Sequence, residues 1–162
     1  MIVFMYLLIG RTSAIRGLNL ETDQLRKVTM KEVYRKETKE GTIYDSTGEV
    51  LSEAKEIGKT GQLIYPKEYS WLLGYTMNKY ACGIKGRFEN YLYMHDRKKS
   101  GADLTLTLNH KIQQKAYDLI KGTQGSMVII DVHSGKVIAL ASSQEEEYNA
   151  NEITNQKKKK KW

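Results

Sequence analysis

A single cysteine, Cys82, rules out an internal disulfide and any cysteine-rich metal site. With no histidine near it in the chain, it is expected as a small buried apolar residue rather than a nucleophile. Histidine is nearly as scarce. His95, His110 and His133 stand apart from one another, and no pair has metal-ligand spacing. Surface or packing roles are expected for all three, and no metal or other cofactor is expected. Long hydrophobic runs are missing too. The N-terminal MIVFMYLLI holds nine apolar residues, about half of the ~20 that a bilayer span requires. Its nearest positive charges, Arg11 and Arg16, follow the run instead of preceding it as in a secretory signal. A buried strand or helix and a partial membrane anchor over residues 1–19 both fit this pattern.

What is present is compatible with a folded domain. Hydrophobic residues make up 40% of the chain and charged residues 28%, so an ordered core is expected. At 162 residues the chain can bury one core, or one small domain plus part of a second. The net charge of +7 suggests a polyanion partner, but its distribution argues otherwise. Lys157 to Lys161 supply five of the 26 basic residues; without them the balance is 21 against 19, or +2. The body shows no basic face with interleaved aromatics, so no specific nucleic-acid partner is expected. Residues 144–162 read as a polar, lysine-rich tail, solvated as such runs usually are.

Local signals place several elements. Residues 20–40 carry Leu25, Val28 and Val33 among charges, and helix and exposed strand fit equally well. Thr42 to Asp45, then Ser46-Thr47-Gly48, then Glu49 to Leu51 predict a β-hairpin in which Asp45 accepts backbone N–H bonds and Gly48 takes positive φ. The only proline, Pro66, cannot extend a preceding helix. Tyr69, Leu72 and Leu73 after it predict a short amphipathic helix ending near Gly74. A loop containing Gly83 and Gly86 follows, and Phe88, Tyr91 and Leu92 suggest one or two helical turns in which the aromatics pack. Leu104, Leu106 and Leu108 alternate with Thr105 and Thr107, the period of a strand with one buried face. Asn109 is placed to cap a helix closed by Gly122, with Ile112, Ala116, Leu119 and Ile120 as its apolar stripe. Residues 126–132 and 137–141 read as a tight hairpin turning at His133-Ser134-Gly135, with both faces covered.

One stretch carries apparent chemistry. In LSEAKEIGKTG at 51–61, Ser52 and Lys55 match a Ser-x-x-Lys pattern, and Lys59-Thr60-Gly61 matches Lys-Thr-Gly, the pair found in β-lactam-recognising enzymes. Gly58-Lys59-Thr60 also looks like the end of a phosphate-binding loop. That loop needs a glycine where Glu53 stands. The serine-enzyme reading needs the two motifs on opposite walls of a cleft, and three intervening residues cannot span one. Ser52 and Lys55 are therefore expected where the return strand of the hairpin ends.

Three larger stretches resemble the class B penicillin-binding proteins, the membrane-anchored peptidoglycan D,D-transpeptidases. GTIYDSTGEVLSEA at 41–54 is similar to that family's Arg-Gly-x-Ile-x-Asp-Arg-Asn-Gly-x-x-Leu-Ala, with Glu40 where the arginine usually stands and Ser46-Thr47 for Arg-Asn. LIYPKEYSWLLGY at 63–75 and GIKGRFENYL at 83–92 resemble its Tyr-Pro and Gly-Leu-Glu-x-x-Tyr segments, with Glu89 as the matching acid in a shifted register. GADLTLTLNHKIQQKAYDLI and GSMVIIDVHSGKVIALASS, at 101–120 and 125–143, resemble the opening helix and hairpin of the transpeptidase domain. Tyr148 to Asn151 stands where the family has Phe-Asp-Pro-Asn.

The resemblance implies an α+β chain in four parts. These are a partial membrane anchor at 1–19, a non-catalytic pedestal at 20–100, the truncated start of a transpeptidase-like domain at 101–143, and the tail at 144–162. It places the family's own Ser-x-x-Lys, Ser-x-Asn and Lys-Thr-Gly beyond the point matching Trp162, so no catalytic residue carries over. The implied role lies in peptidoglycan synthesis at the extracytoplasmic face of the cell membrane. Cell-wall synthesis or division proteins, and a second copy of the chain, are the expected partners. Two alternatives are a free-standing cell-envelope interaction module and a polyanion binder acting through Lys157 to Lys161.

Overall fold

The computed structural model describes residues 32–77, 80–94, 100–143 and 149–152. The chain divides into two compact units, Met1–Tyr34 and Arg35–Trp162. Of the first, only 32–34 are described, and they belong to a helical stretch, α1, at 32–37. The expectations for the N-terminal run, Leu25, Val28, His95 and the lysine tail fall outside the described residues.

The second unit is α+β, with three small sheets among the described residues. β1 (Ile43–Tyr44) and β2 (Val50–Glu53) form the expected antiparallel hairpin, with Ile43 opposite Ser52. Gly48 takes φ 90° at its turn. β3 (Gln62–Leu63) pairs antiparallel with β2, and β6 (Leu104–Thr105) pairs parallel with β1, which gives a sheet in the order β3-β2-β1-β6. The alternation at 104–108 is real but the strand is short. Leu108 is buried and Leu104 and Leu106 are half-buried, while Thr105 and Thr107 face solvent. This parallel pairing joins segments sixty residues apart.

α2 (Pro66–Leu73) begins with proline in its first turn, where the missing N–H costs nothing. It ends at Gly74, whose φ of 65° only glycine adopts at ease. Its Tyr69 and Leu73 join Ile43, Leu51, Leu63, Leu92 and Leu108 in the main core. Each such side chain, fully buried, is worth about 1.5–3 kcal/mol.

A hairpin of β4 (Thr76–Met77) and β5 (Tyr80–Ala81) follows. The expected loop at Gly83 and Gly86 is instead a short helix, α3 (Gly83–Arg87). The glycines are there because the backbones touch. A Cβ on Gly86 would sit 2.7 Å from the Ala81 carbonyl carbon, and one on Gly83 2.7 Å from the Leu72 oxygen. α4 (Glu89–Met94) supplies the predicted helical turns; Phe88 and Tyr91 are 42% and 43% exposed, and Leu92 and Tyr93 are the residues buried in the core. Cys82, expected to be buried, is exposed just before α3.

The last third is α5 (His110–Ile120) lying on a hairpin of β7 (Gly125–Ile130) and β8 (Val137–Ser143). Asn109 caps α5 as expected, its side chain accepting from the Ile112 N–H. The expected stripe is only half right. Ala116 is buried and Ile120 packs against it, but Ile112 is 37% exposed and Leu119 73% exposed. The inner face is Gln113, Ala116, Tyr117 and Ile120, set against Ala139, Ala141, Met127 and Ile129. The hairpin is not covered on both faces either. Val128 and Ile130 are each 52% exposed and Val132 is 87% exposed, because α5 covers one face only.

Candidate functional site

Asp45, in the turn between β1 and β2, is fully buried. Its Oδ1 accepts the Thr47 N–H and hydroxyl, both at 2.7 Å, and the Glu49 N–H at 2.9 Å. Its Oδ2 accepts the His110 N–H at 2.8 Å, at the first turn of α5. One carboxylate thus closes the β1–β2 turn and neutralises a helix N-terminus 65 residues away. Burial alone would raise its pKa. Donation by the His110 N–H, the Thr47 hydroxyl and the Glu49 and Thr47 N–H groups overrides burial and holds it below the ordinary carboxylate value. A carboxylate engaged by four donors and held ionised is a strut, poorly suited to taking a proton.

Backbone bonds reinforce the strut. The Ser46 N–H donates to Leu108 O, the Leu106 N–H to Tyr44 O, and the Asn109 N–H to Ile138 O. His110 itself stacks on Tyr65 with ring centroids 3.8 Å apart, and the Tyr69 hydroxyl lies 3.5 Å from its Nδ1. This histidine packs, as expected. His133 sits exposed in the β7–β8 turn, where its N–H donates to Asp131.

A second buried cluster was not foreseen. Glu40 and Lys85, each 1% exposed, form an ion pair at 3.2 Å. Glu40 Oε2 also accepts the Gly61 N–H at 2.7 Å and the Tyr93 hydroxyl at 2.6 Å, while Lys85 Nζ donates to Gly61 O. Burial pushes the Lys85 pKa down, and Glu40 offsets only part of that. Burial beside the Glu40 carboxylate likewise drives the Tyr93 phenol far above its ordinary value. Glu89, the acid that matches the resembling segment, pairs with Arg35. The partner of Glu40 is Lys85, in Gly83-Ile84-Lys85, which the fold brings beside it from α3.

The motif residues at 51–61 are not gathered into a site. Ser52 is 1% exposed within β2, beside the Gly61 backbone, whereas Lys55 and Lys59 point to solvent from the following loop. At the other end of the described chain, Asn151 clasps Leu63. Its Oδ1 accepts the Leu63 N–H at 2.8 Å and its Nδ2 donates to Leu63 O at 2.9 Å. The neighbouring Ala150 N–H donates to Ser70 Oγ. Ala150 and Asn151, within the stretch standing at the Phe-Asp-Pro-Asn position, thus lock onto α2 and β3.

Comparison with known proteins meets this geometry. The D,D-transpeptidase domain of a peptidoglycan glycosyltransferase from Eggerthella lenta superposes with a TM-score of 0.62 and 31% identity over 75% of this chain. The chain belongs to the penicillin-binding proteins. Penicillin-binding protein 3 of Bacillus subtilis (strain 168) is 28% identical over 128 residues, 75% of this chain. PBPA from Mycobacterium tuberculosis shares the fold, with a TM-score of 0.62 and 21% identity over 75% of this chain. No family model matches. This penicillin-binding-protein chain spans 16% of the Bacillus relative's length and 29% and 32% of the two structures. Among the described residues, no helix is long and apolar enough to cross a membrane.

Proposed function

We propose that this chain supplies the pedestal and the opening helix and hairpin of a class B penicillin-binding protein, and that it serves peptidoglycan synthesis on the extracytoplasmic face of the cell membrane. The pedestal covers 20–100 and the transpeptidase-like start 101–143. The observation that carries the reading is the Asp45 junction, which binds the 41–54 signature to the head of α5 in a chain 31% identical to a D,D-transpeptidase domain. In that role residues 35–152 orient and brace, and acyl transfer belongs to a serine outside them. Ser52, buried in a strand with its nearest motif lysine in solvent, is unsuited to attack a peptide or a β-lactam. A free-standing envelope interaction module is the second reading, supported by the single compact unit at 35–162.

The test uses the full chain, tagged and expressed in a bacterium. The expected result is recovery in the envelope fraction together with polypeptides that a fluorescent penicillin labels, the chain itself remaining unlabelled. A cytosolic chain that retains no penicillin-labelled polypeptide would overturn the cell-wall reading. A covalent adduct on Ser52 would overturn the bracing role.

A further inference from the structure

The described residues form two separate apolar clusters. The main core gathers Ile43, Leu51, Tyr69, Leu73 and Leu92 among others. The smaller one lies between α5 and the β7–β8 hairpin, and its buried residues are three alanines, Ala116, Ala139 and Ala141. Three methyl groups remove little apolar surface from water, so this cluster by itself makes a weak unit. Gln113 stands where the two clusters meet, and it is fully buried. Its Nε2 donates to Leu140 O in β8 at 2.8 Å and to Glu68 O in α2 at 3.2 Å, while its Oε1 accepts the Leu140 N–H at 2.7 Å. Two donors and an acceptor on one neutral group is a set that only asparagine and glutamine carry. Because α2 belongs to the main core through Tyr69 and Leu73, one amide ties the hairpin to that core.

We propose that Gln113 is a hydrogen-bonded joint that makes the two cores one cooperative body, so that the hairpin cannot open while α2 stays folded. The root of β8 has further ties, from the Asn109 N–H to Ile138 O and from the Thr107 hydroxyl to Val137 O. These hold the first residues of the strand, and Gln113 holds its middle. A hydrocarbon in the place of the amide would take one partner each from the Leu140 N–H, Leu140 O and Glu68 O together. α5 and the hairpin would then come away as a unit of their own, and the main core would remain. The coupling is a property of residues 35–152 and does not depend on the cell-wall reading.

Hydrogen exchange of the full chain at rising, sub-denaturing urea reads the joint directly. In the wild type, the slowest amides of α2 and of β8 should converge on one opening with one urea dependence. In Q113M the β8 amides should exchange at least about tenfold faster than those of α2, because a buried polar group left without its partner costs more than a hydrogen bond contributes. Q114M, one residue along on the exposed side of α5, should keep α2 and β8 in step. Wild-type β8 amides that open ahead of α2 would overturn the proposal, since the two cores would already be independent. So would a Q113M chain in which α2 and β8 still open together, or in which neither is protected.

Discussion

Removing either member of the Glu40–Lys85 pair should unfold a large part of this protein, and removing both should do less harm. The reason is desolvation. Both groups are 1% exposed and 3.2 Å apart, so each makes the other's burial tolerable. Breaking a buried pair typically costs about 3–5 kcal/mol, against a net stability of about 5–15 kcal/mol. The two single changes should not be equal. Lys85→Met leaves the carboxylate with two donors, the Gly61 N–H and the Tyr93 hydroxyl, which places its cost near the lower end, at about 3 kcal/mol. Glu40→Met leaves an ammonium with one carbonyl acceptor and strips those donors of theirs, which points to about 5 kcal/mol. In Glu40→Met/Lys85→Met neither charge is buried. What remains is the Gly61 peptide and the Tyr93 hydroxyl, the latter still 3.2 Å from Thr76 Oγ1, for about 1–3 kcal/mol.

Exchanging the charges extends the cycle. Glu40→Lys alone sets two ammonium groups against each other, whereas Glu40→Lys/Lys85→Glu restores an opposite pair and should recover most of the loss. Urea denaturation followed by circular dichroism, with the midpoint compared at constant slope, measures all five variants. Single changes costing under about 1 kcal/mol would mean that the pair is hydrated. A double change equal to the sum of its parts would mean that the two groups do not act as one. Either result refutes the reasoning.

Three further outcomes follow from the same geometry. Asp45→Ala should cost at least about 3 kcal/mol, since four donors lose a charged acceptor. Because the folded pKa of Asp45 lies below its unfolded value, its contribution is complete above about pH 4–5 and disappears as pH falls through the folded value. Urea midpoints from neutral pH downward should therefore decline in the wild type and be flatter in Asp45→Ala. Gly101→Ala and Gly41→Ala would drive a methyl to 1.6 Å from Leu92 O and 1.9 Å from Ala102 O, and neither should yield soluble folded protein. Gly125→Ala, with nothing nearer than 3.8 Å, should express as the wild type does. On α5, Ala116→Asp should unfold the C-terminal hairpin while Leu119→Asp stays within about 0.5 kcal/mol, a contrast that thermal melts would reveal.

The turns and caps were legible in the sequence because their causes lie within a few residues. Asp45 and Gly48 specify the β1–β2 turn through their own backbone bonds and positive φ. Asn109 can cap α5 whatever the helix packs against, and Pro66 with Gly74 brackets α2 by covalent geometry alone. The alternation at 104–108 gave the buried face of β6 for the same reason. Family membership was also legible, since these local signals occur in a recurring order.

Which face of α5 is inner was a tertiary matter. The stripes through Ile112 and Leu119 and through Gln113 and Tyr117 share Ala116 and Ile120. Hydropathy favours the first, but the backbone of Leu140 needs an amide and selects the second. The same holds for Lys85, which reads as a surface residue until the fold brings Glu40 beside it from 45 residues away. Glycines 83 and 86 read as loop formers, and only the approach of the Leu72 and Ala81 backbones shows why they stand in a helix. A buried polar group or a close backbone contact is decided by its partner, and a partner distant along the chain leaves no periodicity to read.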